Sequence, residues 1–117
     1  MALLTTNKLS EGQGTNITTA SAASGGDTFT YTANTMLYIV NSGGSASTIT
    51  IPVITATSFI LGTGNVTKTD IVMSLAGGAN AILDCRSVAY RNQVGTVSVT
   101  YSSETSINVS PFEIDRV

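Results

Sequence analysis

A chain of 117 residues, 42% hydrophobic and only 10% charged, has room for one domain and one core of ordinary size. Its net charge is −2, and its five basic residues (Lys8, Lys68, Arg86, Arg91, Arg116) are scattered. That excludes the basic face that nucleic acid or an anionic membrane would need. The one cysteine, Cys85, excludes an intrachain disulfide and points to folding in a reducing cytoplasm. Ser and Thr supply roughly a quarter of the chain, well above ordinary usage. Hydroxyls are much cheaper to desolvate than ionised groups, so this composition suits a surface that lies against protein.

The opening stretch, MALLTTNKLSEG, has no basic n-region and no sustained apolar run, so no signal peptide is expected. Residues 1–15 are polar and contain Gly, and they read as an N-terminal arm ahead of a domain over 16–117. Asn16 to Ala23 suits a short edge strand. After the Gly25-Gly26-Asp27 turn, Thr28 to Tyr31 alternates polar with aromatic, the period of a half-buried strand. Met36 to Val40 is apolar at every position, as in a central strand covered on both faces. Asn41 to Ser45 turns the chain.

Thr48 to Val53 is the cleanest alternation, with Ile49, Ile51 and Val53 on one face and Pro52 at an edge, bulge or strand end. The stretch 54–68 holds the apolar knot Phe59-Ile60-Leu61 and reads as a loop with a short strand or helical turn. Asp70 to Leu75 and Ala79 to Asp84 are strands about an Ala76-Gly77-Gly78 turn, and Ser87 to Tyr90 is strand-like. Gly95 to Tyr101 alternates, with Val97, Val99 and Tyr101 on one face; Ile107–Val109 and Phe112–Ile114 close the chain. Short strands at this spacing predict an all-β, single-domain antiparallel β-sandwich, jelly-roll-like, with a polar N-terminal arm.

Catalysis finds little support. There is no histidine to act as proton shuttle or metal ligand, and no base is placed beside Cys85 to activate it. Asp70, Asp84, Glu104, Glu113 and Asp115 are the candidate paired carboxyls, but nothing in the sequence brings two of them together. Gly25-Gly26-Asp27 lacks the repeated acids of a calcium loop. Gly62-Thr63-Gly64 is too short for a dinucleotide fingerprint. No catalytic, cofactor-binding or metal residue is expected. The four tyrosines could line a sugar platform, though without Trp core or interface roles fit them better.

Two stretches carry a resemblance. The first comprises Gly25 to Phe29, Asn34 to Gly44 and Ser47 to Ile51; the second comprises Asp70 to Ala79 and Val94 to Tyr101. Their order and spacing, over about residues 20 to 102, resemble a family of tailed-bacteriophage capsid decoration (cement) proteins. The resemblance implies a non-enzymatic protein on the outer surface of the virion, made in the host cytoplasm. Its partner would be the major capsid protein, and it would form a homo-oligomer, with a trimer favoured over a dimer. The chain departs from the family pattern in its arm, in 55–67 and in 102–117. Specific contacts are expected there, from Leu3 and Leu4 as anchors, from Phe59, Ile60 and Leu61, and from Phe112. The competing expectation is a β-sandwich module of a phage tail or baseplate that binds a host glycan. Such modules are usually fused to larger tail proteins, and a unit beginning at Met1 weighs against that.

Overall fold

The computed structural model of the chain describes residues 2–10, 12, 14, 16–55, 57–60 and 64–115; for 57–60, 64–66 and 115 the backbone alone is described. In chain order the strands are β1 (Ala2–Leu3), β2 (Asn7–Ser10), β3 (Ala20–Ser21), β4 (Asp27–Thr30), β5 (Thr35–Asn41) and β6 (Ser47–Ile51). They continue as β7 (Thr57–Ile60), β8 (Gly64–Thr67), β9 (Ile71–Leu75), β10 (Asn80–Leu83), β11 (Thr96–Tyr101) and β12 (Ile107–Asp115). One sheet runs β1-β4-β11-β6-β9, and the other runs β10-β5-β12-β2 with β3 also on β12. β7 and β8 form a separate hairpin.

The period of two decides which side chains meet. Phe29, Val97, Val99, Ile49, Ile51 and Leu75 project inward from the first sheet and are buried. Leu37, Ile39, Leu83, Ile107 and Val109 meet them from the second. Each such side chain contributes roughly 1.5–3 kcal/mol by leaving water, so a β-sandwich with one core results. The alternations of 48–53 and 95–101 thus appear as β6 and β11, and Pro52 falls just beyond the end of its strand.

Three segments differ from the sequence expectation. Residues 2–10, expected as an arm, are paired. β1 adds parallel to β4, β2 adds parallel to β12, and Leu4 between them enters the core. Both sheets are therefore mixed rather than purely antiparallel. The segment Ser87–Tyr90 is not a strand but a 3-10 turn, Val88–Tyr90, capped by the Ser87 hydroxyl, which accepts from the Ala89 N–H. The closing pair of segments is one nine-residue strand, β12. Its outer edge carries β3 at Asn108 and Val109 and β2 from Phe112 onward. Pro111 falls in the gap, a position where a strand tolerates a missing N–H. Asn7 closes that gap with its side-chain amide, donating to the Ser110 hydroxyl at 2.6 Å and to the Thr18 carbonyl at 3.0 Å.

Candidate protein interface

The outer face of the first sheet is assembled from the residues that alternation leaves pointing away from the core. Thr28 and Thr30 come from β4, Thr96, Ser98 and Thr100 from β11, Thr48 and Thr50 from β6, and Val72 and Ser74 from β9. The register sets them side by side: Thr30 opposite Thr96, Thr28 opposite Ser98, Thr100 opposite Thr50, Thr48 opposite Ser74 and Thr50 opposite Val72. Strand neighbours about 4.8 Å apart turn this into a lattice of short hydroxyl side chains. None of these positions carries a charge. Leu3 of β1, opposite Thr28, borders the field on one side and is 67% exposed; Val72 borders the other and is 62% exposed. The face can make many weak hydrogen bonds and contacts with a protein neighbour, with no ionised group to desolvate.

The residues named from the sequence as contacts are distributed differently. Leu3 stands at the rim of the hydroxyl field, whereas Leu4 is 7% exposed and packs inward, its N–H donating to the Thr28 carbonyl at 2.7 Å. Phe112 lies on the outer face of the second sheet and is 9% exposed, in the wall of a groove of about 280 Å³ with Leu9, Ile17, Tyr38 and Ile82. Phe59 and Ile60 lie on β7, where only the backbone is described; Leu61 lies outside the described residues. The structure thus brings Leu3 beside the Thr/Ser lattice and does not group it with Phe112.

Sequence reasoning missed two features. The hydroxyl positions were each visible as the polar half of an alternation, but the neighbour order β4-β11-β6-β9 that joins them is not local information. Asp27, read as part of a turn, is fully buried. Its Oδ2 accepts from the Tyr101 hydroxyl at 2.8 Å and from the Ala23 N–H at 3.1 Å, and its Oδ1 has no partner among the described residues. The signal was present in the regular alternation that carries Tyr101 to the inner face.

The titratable groups are held by local structure. Arg86 binds Asp84 through two 2.9 Å contacts and holds that carboxyl below the usual range. Burial pushes the Cys85 thiol up to about 12, and its Sγ faces the Thr35 carbonyl at 3.6 Å. Asp70 accepts from the Val53 N–H at 2.8 Å. Three of the four tyrosines are spent on the fold too, and Tyr38 stands apart from them on the outer face of the second sheet. Tyr31 donates to the Arg86 carbonyl and lies under the Arg91 guanidinium, Tyr90 donates to the Thr69 carbonyl, and Tyr101 donates to Asp27. They do not share a platform. Among the described residues no group of three or more His, Cys, Asp or Glu side chains could hold a metal ion.

Fold and face together define a single-domain β-sandwich that presents an uncharged, hydroxyl-bearing sheet to its surroundings. No family model, curated protein or solved structure matches the chain.

Proposed function

We propose that the chain is a capsid decoration protein, which lays the outer face of its first sheet on the major capsid subunits of a phage head and stabilises their contacts. The observation that carries this reading is the hydroxyl field on β4, β11, β6 and β9, free of charge and bordered by exposed Leu3 and Val72. The resemblance over residues 20 to 102, carried in part by the same strands, points the same way. Contacts made only with the assembled shell stabilise the shell by linkage. A repeated lattice multiplies small energies per copy. The internal hydrogen bonds of Tyr31, Tyr90 and Tyr101 leave Tyr38 alone in an open groove, short of the several exposed aromatic faces that the glycan-binding alternative needs.

The test is co-sedimentation of the protein with expanded heads built from the major capsid protein of the same phage. Thr50→Lys and Ser98→Glu each place a charge in the middle of the field. Each should weaken head binding by at least about tenfold, as an unpaired charge at a protein contact does, while the melting temperature stays close to that of the parent. Undiminished binding by both variants would contradict the proposal.

A further inference from the structure

The two outer faces of the sandwich differ in chemistry. On the second sheet the outward positions of β5 are Met36, Tyr38 and Val40, apolar without exception and only half-buried. A strand apolar on both sides is the pattern of a sheet covered on both sides, yet in the single chain the outer cover is partial. It comes from the segment after β2, where Ile17 lies with Leu9 of the edge strand beside Phe112 and leaves the groove open over Tyr38 and Ile82. Ile82 sits opposite Tyr38 in the β10–β5 register and is 57% exposed. The sequence therefore places apolar side chains where the monomer leaves them in water.

We propose that a second copy of the chain covers this face, the two second sheets stacking face to face about a twofold axis. Area argues for this occupant. Four strands about 4.8 Å apart and four to nine residues long, at about 3.3 Å per residue, give a face of about 400 Å² in projection. With side-chain relief and the Ile17 segment, a pair would bury at most about 1,000 Å² in all, because Ser110 and Phe112 on this face are already buried in the single chain; that is the lower end of specific association. Chemistry argues for it as well. An isologous contact needs a patch complementary to itself. Among the described residues the walls of this groove are Asn7, Leu9, Ile17, Tyr38, Ile82 and Phe112, with Lys8 the one charged residue, so the described lining carries no charge pattern that would require a different partner. Face-to-face stacking also uses the face up, so the assembly stops at two copies through this contact rather than reaching the trimer the resemblance implies. The inference is independent of capsid binding, because it concerns the opposite sheet and the protein alone.

Sedimentation equilibrium of the full-length protein, over about 1 to 200 µM, tests it without any head present. The parent should form a dimer with a dissociation constant in the micromolar range, as expected of an interface this size. Ile82→Lys, at an exposed position, should weaken the dimer by at least about a hundredfold while far-ultraviolet circular dichroism and melting of the monomer stay unchanged. Thr50→Lys, on the other sheet, should leave it intact. A monomeric parent at 200 µM, a trimer, or a dimer indifferent to Ile82→Lys would each overturn the proposal.

Discussion

The hydrogen bond between Tyr101 and Asp27 offers a sharp test of the core. Tyr101→Phe removes the 2.8 Å donor to Oδ2. The carboxyl is then left, fully buried, with the Ala23 N–H as its remaining partner, because Oδ1 has none among the described residues. A hydrogen bond to a charged group contributes about 1.5–3 kcal/mol, and stranding its buried partner adds desolvation cost. We expect a loss of about 2–3 kcal/mol, or about 8–12 °C in melting temperature for a domain of this size. Urea and thermal unfolding followed by circular dichroism would measure it. Combining Tyr101→Phe with Asp27→Asn should then cost less than the sum of the two single changes, by about 1 kcal/mol or more, because they share one contact. If Tyr101→Phe lies within about 0.5 kcal/mol of the parent, a range typical of surface substitutions, this buried bond does not contribute to the stability of the core.

Stability should also fall in alkali. Burial pushes the Cys85 thiol up to about 12, and burial with the Asp27 contact raises the Tyr101 phenol. An unfolded chain gives up these protons near their ordinary values of about 8.5 and 10. The folded state then binds more protons, so the stabilisation is complete below those values and is lost as pH rises towards the folded ones. Urea titrations should show about 2–3 kcal/mol less stability near pH 10.5 than near pH 8 from Cys85 alone; Cys85→Ala should flatten most of that slope, and a parent curve already flat would refute it. At Gly26, φ is +100° and an added Cβ would stand 2.5 Å from the Val99 carbonyl oxygen. Gly26→Ala should therefore cost about 2 kcal/mol or more by strain and overpacking, read from the same urea curves; a neutral result would mean the 23–26 turn can move away from β11.

Local alternation made much of the fold legible. Ile49 and Ile51, Val97 and Val99, and Leu37 and Ile39 recur at the strand period because each strand must present one apolar face to the same core. The N-terminal segment was not legible. Asn7-Lys8-Leu9-Ser10 has no apolar alternation, and its strand state comes from pairing with β12 more than a hundred residues away. The Val88–Tyr90 turn was masked by strand-favouring residues; the cap from Ser87 and the tertiary burial of Ala89 and Tyr90 override that preference. The hydroxyl face was legible one strand at a time but not as a surface. Its assembly depends on β11 running between β4 and β6, an arrangement of strands distant in the chain.

The most direct measurement is a cryo-electron microscopy map of heads saturated with the protein. The account predicts density for a β-sandwich on the outer shell, in fixed ratio to the major capsid protein, with Thr50, Ser98 and Leu3 turned toward the shell. Heads that acquire no such density, or a sandwich attached with that sheet facing solvent, would contradict it.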